Sequence, residues 1–384
     1  MGRAEIVSEQ PAAFGISQIK RDWTLNIWEG LNFFAWLRLL IRNRFAVHWS
    51  FWYIACIVTV VSFLNTTLHY LQELFYGRRL RRTRIREDPL FIIGHWRTGT
   101  TFLHQLLALD DRHTYPNTYE CFAPNHFLLT ERFFTRWLSA LLPKRRPMDN
   151  MPVGWERPQE DEFALCMLGL PSPYLTIAFP NHAPQCQEYF DLEGLSPEAL
   201  YRWKKGFMGF LRRLTLKSPK RLVLKSPPHT CRVRVLVEMF PDARFVHIVR
   251  DPYVVFPSTM NMRKSLYEAH GLQRPTFSGL EEYVFGTFNH LYENVDAARK
   301  LIDPARFYEI RYEDLVRDPV GEMRGLYEHL RLGGFDEVEP RLKRYLAAIA
   351  GYETNRYQLS PRLRAEITRR LGWVIRKYGY EITG

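Results

Sequence analysis

The stretch Phe91-Ile-Ile-Gly-His-Trp-Arg-Thr-Gly-Thr-Thr-Phe-Leu-His-Gln-Leu-Leu107 passes from a strand pattern through a tight turn into a helix pattern. Leu90 to Ile93 is a continuous apolar run, as a strand buried on both faces of a parallel sheet presents. Gly94 ends it. Beyond Thr100 the apolar residues Phe102, Leu103, Leu106 and Leu107 recur at helical spacing, so the turn from Gly94 to Thr101 delivers backbone N–H groups to a helix N-terminus. Such an end attracts anions through unpaired donors and a partial charge of roughly +0.5. The stretch predicts a phosphate cradle.

Gly94 and Gly99 have the spacing of the Walker A pattern, Gly-x-x-x-x-Gly-Lys-Ser/Thr, but Thr100 and Thr101 follow and the lysine for the β and γ phosphates of ATP is missing. Arg97 places a cation inside the loop instead, a planar fork that grips oxyanions. This combination predicts a phosphate-containing ligand other than ATP with magnesium.

Outward from the cradle, strands alternate with helices. Arg221 to Leu224 reads as a second buried strand, followed by Lys225-Ser226-Pro227-Pro228-His229. Arg244 to Val249 is a third, ended by Arg250-Asp251-Pro252 and a helix reaching Ser258; Arg306 to Ile310 is a fourth. Helices are expected at Glu160 to Leu170, Pro197 to Leu216, Thr230 to Phe240, Leu280 to Ile302, Val320 to Leu330, Pro340 to Ala350 and Pro361 to Lys377. Asp110 to Pro152 reads as loop-rich, and Leu175 to Phe179 fits a strand. The fold class is α/β: a P-loop-like, mostly parallel sheet flanked by helices, with an N-terminal helical extension. Ligand sites then lie at the strand C-terminal ends, where Arg97, Lys225 and Arg250 converge on one anionic ligand. Each charged hydrogen bond contributes about 1.5 to 3 kcal/mol.

These residues resemble the sulfotransferases that use 3'-phosphoadenosine 5'-phosphosulfate. Gly94-His-Trp-Arg-Thr-Gly-Thr-Thr-Phe-Leu103 is similar to their 5'-phosphosulfate loop, and Phe245-Val-His-Ile-Val-Arg-Asp-Pro-Tyr-Val-Val-Phe-Pro-Ser258 to their 3'-phosphate segment. Lys225-Ser226-Pro227 and Tyr312-Glu313-Asp314-Leu315 extend the likeness across Pro89 to Leu330. The resemblance implies that Arg97, Thr98, Gly99, Thr100 and Thr101 hold the 5'-phosphosulfate, and that Arg250 with Ser258 holds the 3'-phosphate. Phe102 stands where many cytosolic members carry an adenine-stacking tryptophan. Tyr312 matches a tyrosine near the adenine, and Lys225 a lysine beside the bridging oxygen, where it would neutralise charge on the leaving phosphate.

The implied reaction moves a sulfuryl group to an acceptor hydroxyl without a metal. The hydroxyl needs a general base, worth about a hundred- to ten-thousand-fold. Glu120 is the first candidate, because it follows the cradle helix at about the distance of a glutamate in the protein-tyrosine and bacterial glycolipid members. His229 is the second: many cytosolic members place a histidine two residues after the corresponding lysine, and here it follows at four. Glu160, Asp161 and Glu162 form an acidic cluster that suits substrate binding or a solvated helix start. The alternative functions are a kinase or NTPase, disfavoured by the missing lysine, and a non-catalytic membrane scaffold of the same fold.

The 384 residues make one large or two smaller domains, and 46% hydrophobic with 24% charged residues excludes disorder. A net charge of +12 implies an acidic partner. Nucleic acid is not expected as that partner, because no helix-turn-helix, zinc-finger or RNA-binding signature is present. Cys56, Cys121, Cys166, Cys186 and Cys231 are scattered, as reduced thiols of a cytosolic compartment are. The first thirty residues mix charges with apolar residues, so no cleaved signal peptide is expected.

Residues 1–88 differ from the rest. Trp23 to Ile41 carries apolar residues at helical spacing, and Phe45 to Leu64 is a twenty-residue run whose only titratable cation is His48, about the length that crosses a bilayer. Leu68 to Phe75 follows, then Arg78, Arg79, Arg81, Arg82, Arg84 and Arg86, which suit the cytoplasmic side against anionic headgroups. A spanning helix, an in-plane or re-entrant hairpin and a buried appendage all fit. The expectation is a membrane-associated region over 1–88 on the cytoplasmic side, with a plainly cytoplasmic protein as alternative, and a catalytic domain over 89–384. A lipid, glycolipid or other hydrophobic alcohol is the acceptor class this suggests.

Overall fold

In the computed structural model, which describes residues 26–86, 88–138, 154–351 and 357–382, the chain opens with two helices joined by a tight corner. Trp23 lies outside the described residues. α1 (Phe33–Arg42) is capped by Asn32, whose side chain accepts from the Ala35 amide. Arg44 and Phe45 turn the corner with positive φ, and α2 (Trp52–Arg82) runs back for 31 residues. The two apolar segments that the sequence separates are therefore one helix. The polar residues between them do not break it, because the Thr66 and Thr67 hydroxyls donate to Ser62 and Phe63 carbonyls one turn earlier.

The chain then enters the sheet with β1 (Leu90–Ile93), followed by α3 (Thr100–Leu107) and the two-residue β2 (His113–Thr114). The segment expected to be loop-rich carries α4 (Thr118–Phe122) and α5 (Phe127–Leu138); its remainder, 139–152, lies outside the described residues. After α6 (Asp161–Met167), a 3-10 turn over Pro173–Ile177 occupies the place expected to be a strand. Local chemistry explains this: Pro173 starts the turn, and the Ser172 hydroxyl accepts from the Tyr174 amide.

α7 (Pro197–Lys217), β3 (Arg221–Lys225), α8 (Val233–Met239), β4 (Arg244–Val249), α9 (Pro252–His270), α10 (Leu280–Arg299) and β5 (Phe307–Arg311) complete the alternation. α11 (Tyr312–Arg317), α12 (Pro319–His329), α13 (Phe335–Ala348) and α14 (Pro361–Lys377) finish the chain. The five strands are parallel throughout, in the order β2-β3-β1-β4-β5. Ile92 lies opposite Lys225, Ile93 opposite His247, and Val249 opposite Arg311, so the C-terminal ends of four strands meet along one edge.

Successive side chains of a strand point to opposite faces. Leu90, Ile92, Val223, Val246 and Ile248 pack with Leu103 of α3, Leu326 of α12 and Leu342 of α13. Phe91, Ile93, Leu222, Leu224 and Phe245 pack on the other side with Phe207 and Phe210 of α7 and Leu236 of α8. Both faces are covered, which is why β1 and the centre of β3 read as unbroken apolar runs, and β4 does so but for His247, which meets Glu309 at 2.9 Å.

α1 and α2 share a third cluster with α9, α10 and α14. A polar seam fixes their seat: Asn65 donates to the Glu29 and Leu31 carbonyls at 2.7 and 2.9 Å, while Gln72 donates to the Asn125 carbonyl and accepts from the Leu128 amide. Trp28 donates from its indole to the His270 carbonyl. The opposite face of α2 is bare. Of twenty exposed large apolar side chains among the described residues, fourteen lie between Phe34 and Phe75. The helical stretch Trp49–Arg82, with a mean hydropathy of 1.7 over its most apolar window, is long and apolar enough to cross a membrane.

Candidate functional site at the strand ends

Gly94 and Gly99 bracket the turn between β1 and α3 with φ of 144° and 101°. A Cβ on Gly94 would lie 2.6 Å from the Ile248 carbonyl oxygen, and one on Gly99 2.3 Å from the Tyr312 ring, so both close approaches need glycine. The Thr230 hydroxyl accepts from the Gly94 amide at 2.8 Å, and the Thr98 hydroxyl donates to the His95 carbonyl at 2.7 Å. Arg97, between the glycines, is held at φ 70°. No side chain caps α3, which leaves its first-turn N–H groups for water or a ligand.

Four strand ends feed this loop. Arg97 donates from Nε to the Ser258 hydroxyl of α9 at 2.9 Å. Arg250, just past β4, donates to the Arg97 carbonyl at 3.4 Å, and its guanidinium lies 4.1 Å from the centre of the Tyr312 ring at the start of α11. Phe102 packs half-buried in the same cluster as Tyr312. Lys225, 2% exposed at the end of β3, points its Nζ to the Thr101 hydroxyl at 3.5 Å and to Glu160 Oε1 at 2.8 Å. The sheet thus brings together Arg97, Thr98, Gly99, Thr100, Thr101, Lys225, Arg250, Ser258 and Tyr312.

Glu160 is bound twice. Its other oxygen accepts from the Tyr174 hydroxyl, which accepts in turn from the Trp96 indole at 3.2 Å. Burial, and then the neighbouring carboxylate, pushes the Tyr174 phenol well up, so it stays an O–H donor. Arg263 of α9 stacks 4.7 Å from the centre of the Trp96 ring.

The two residues expected as bases have other partners. Glu120 stands third in α4, where its Oε2 accepts from the Asn117 amide at 2.7 Å while the Asn117 side chain accepts from the Glu120 amide, a reciprocal cap. Its Oε1 accepts from Lys217, which also holds Glu131. Burial raises the Glu120 carboxyl above its ordinary range, with Lys217 opposing. His229 is wholly buried against the Phe91 and Phe207 rings, its Nε2 2.6 Å from Asp161. Burial works against the Asp161 charge, but His229 and the Ser226 hydroxyl outweigh it and hold that carboxyl below its usual range. Glu162 pairs with Arg232, both fully buried. Of the acidic cluster, Glu160 alone joins the cradle.

The model of the Sulfotransferase family matches residues 89–337, the span that holds the whole cradle. This chain belongs to the sulfotransferase family. As such it is similar to the omega-hydroxy-beta-dihydromenaquinone-9 sulfotransferase Stf3 of Mycobacterium bovis, at 53% identity over 361 residues, covering 94% of this chain and 93% of that relative. The protein of the same name from Mycobacterium tuberculosis matches with the same figures. Among solved structures, sulfotransferase STF9 from Mycobacterium avium aligns with a TM-score of 0.65 at 20% identity, covering 85% of this chain and 87% of that one. Sulfotransferase STF1 from Mycobacterium tuberculosis H37Rv does so with a TM-score of 0.58 at 19% identity, covering 84% and 88%. Both share the fold.

Sequence reading passes over the Glu160–Lys225 pair of this sulfotransferase and the Trp96–Tyr174 support beneath it. Sixty-five residues separate the two charges, and three consecutive acids give no sign of which one faces the cradle. The one usable signal was position: Glu160 precedes α6 as its N-cap residue, and it makes no side-chain cap hydrogen bond, so its carboxylate is spent on partners outside the helix.

Proposed function

We propose that this sulfotransferase takes its sulfuryl group from 3'-phosphoadenosine 5'-phosphosulfate and passes it to the hydroxyl of a hydrophobic alcohol. The observation that carries the donor assignment is the convergence of Arg97, Lys225, Arg250 and Ser258 on the uncapped start of α3. A ligand with anionic groups at two ends fits such a set. Arg97, the α3 amides and the Thr100 and Thr101 hydroxyls would hold the phosphosulfate; Arg250 and Ser258 would hold the 3'-phosphate; Tyr312 and Phe102 would flank the adenine. Lys225 would neutralise charge on the leaving phosphate. The substrate in the relatives' name, a menaquinone derivative, and the exposed apolar face of α1 and α2 support a lipid acceptor. The test is transfer of labelled sulfur from this donor into extracted lipid, together with binding of adenosine 3',5'-bisphosphate. Absence of both refutes the reading.

The same apolar face supports docking on the cytoplasmic surface of a membrane, with 1–88 as the membrane-associated region and 89–384 as the catalytic part. The polar seam from Asn65 to Gln72 ties one side of α2 to protein, which favours a helix lying in the interface over one that crosses it. Arg78, Arg79, Arg81 and Arg82 at its end add attraction to anionic lipid of about 1 kcal/mol each. Flotation with vesicles of phosphatidylcholine plus anionic lipid should carry the protein, and Val60→Asp with Leu74→Asp should abolish it. Undiminished flotation of that double variant refutes in-plane docking.

A further inference from the structure

Glu120, Asp161 and Glu160 lie within reach of the cradle's acceptor side, and the oxygens of each have a different kind of partner. Both oxygens of Glu120 serve structure, one closing the cap of α4 and one holding Lys217. Asp161 is enclosed, 0% exposed, with its oxygens on Ser226 and His229. Glu160 keeps 14% of its side chain exposed and shares Lys225 with the cradle. A base must reach its proton directly or through one water, and only then does its affinity for the proton matter.

We propose that Glu160 is the base that takes the proton from the acceptor hydroxyl, and that its ion pair with Lys225 is a latch that donor binding opens. The inference rests on the sulfuryl-transfer reading. Lys225 cannot give its full charge to both Glu160 and an incoming phosphate group. When the donor's anion enters beside Thr101 and draws Lys225 to itself, the Glu160 carboxylate is freed, and Tyr174 keeps it oriented through its hydroxyl. Glu160 then accepts the acceptor's proton as the acceptor oxygen forms its bond to sulfur. The sulfur–oxygen bond to the 5'-phosphate breaks, and its electron pair leaves with adenosine 3',5'-bisphosphate, whose new charge faces Lys225. The products are the sulfate ester and the bisphosphate, and the proton passes from Glu160 to solvent.

Two consequences separate this arrangement from a plain structural ion pair. Ligands bind in order, donor before acceptor, because the base is occupied until Lys225 moves. Removing the Glu160 charge also tightens the nucleotide, since Lys225 no longer has to be taken from a competitor. The charged and titratable groups facing Glu160 are Lys225 from β3, Tyr174 from the 3-10 turn, Arg263 of α9 and Cys121 of α4, whose thiol burial holds well up. Asp161 and Glu162, next along the chain, are turned to His229 and Arg232.

The experiment compares full-length wild type with Glu160→Gln, Tyr174→Phe and Glu120→Gln, reading calorimetric binding of adenosine 3',5'-bisphosphate and label transfer with kcat and KM resolved. Glu160→Gln should bind the bisphosphate on the order of ten-fold more tightly and lose about a hundred-fold or more in kcat. Tyr174→Phe should lower kcat while leaving bisphosphate binding within about two-fold of wild type, because the carboxylate loses the hydroxyl that orients it. Glu120→Gln should keep kcat within about three-fold while lowering the melting temperature. An active wild type beside a Glu160→Gln variant with near-normal kcat, or with weaker nucleotide binding, overturns this assignment alone. A wild type that neither binds the bisphosphate nor transfers label overturns the transfer reading and this inference with it.

Discussion

Replacing Gly99 by alanine should damage the donor site through Tyr312, and a second glycine supplies the control. Gly99 has φ 101°, and an added Cβ would sit 2.3 Å from Cδ2 and 2.8 Å from Cε2 of the Tyr312 ring. Backbone strain of this kind costs about 1 to 3 kcal/mol. The ring has to move as well, and it carries the Arg250 guanidinium 4.1 Å from its centre. Displacing Arg250 from a phosphate forfeits a charged hydrogen bond of about 1.5 to 3 kcal/mol, or roughly ten- to a hundred-fold in affinity. Gly194 also has positive φ, 72°, but nothing lies within 4 Å of its added Cβ. Gly194→Ala therefore carries the backbone cost without the displacement. Calorimetry with adenosine 3',5'-bisphosphate and thermal melts should show both variants destabilised, with only Gly99→Ala losing nucleotide affinity. Equal affinity in the two would refute the placement of Tyr312 and Arg250 in the donor site.

Ser258→Ala removes the oxygen that holds Arg97 Nε at 2.9 Å and should weaken bisphosphate binding by about ten-fold with little change in melting temperature; a calorimetric constant within about two-fold of wild type would contradict it. His95 and His104 are held neutral by burial to about 3, and His126 to about 4. Their unfolded forms take protons below about pH 6.5, so stability is full above that value and falls as pH drops, by up to about 4 kcal/mol per pH unit for the three together. Urea midpoints at pH 7.5 and pH 5.5 measure this, and equal midpoints would count against it. Arg232→Met strands the buried Glu162 carboxylate and should cost about 3 to 5 kcal/mol, most of it recovered by adding Glu162→Leu; thermal melts in which the double variant is no better than the single would exclude that account.

The α/β class and the order of β1, β3, β4 and β5 were legible because β1 and the centres of β3 and β4 are mainly apolar and each is followed by a chemically distinctive turn; the two-residue β2 has no such signal. Arg97, Lys225 and Arg250 could be placed together from the sequence because a parallel sheet carries its strand ends to one edge, whatever the intervening loops do. Glu120 and His229 show where this logic ends. Both were chosen by spacing along the chain, but the Asn117 cap and the Phe91 and Phe207 rings around them are tertiary facts with no local signature. The Leu175 to Phe179 expectation failed for a different reason: five apolar and β-branched residues look like a strand until Ser172 and Pro173 are read as a helical start. Phe45 to Leu64 and Leu68 to Phe75 read as two apolar runs; the residues between them, Asn65, Thr66 and Thr67, turn their polarity to side-chain bonds within and across one continuous helix.

The seating of α2 also sets an order of events during synthesis. α1 and α2 are made before the sheet, yet the fastenings of this N-terminal region arrive late: Asn65 meets His126 across 61 residues, Glu73 meets Arg213 across 140, and Trp28, just ahead of α1, meets His270 across 242. Contacts this far apart in the chain form slowly. Until α9, α10 and α14 have been made, an apolar helix of 31 residues lacks the helices it packs against, and a chain in that condition aggregates unless something else covers it. A bilayer or a chaperone present during translation therefore decides the yield of folded protein, and refolding from denaturant will recover less of it than synthesis does.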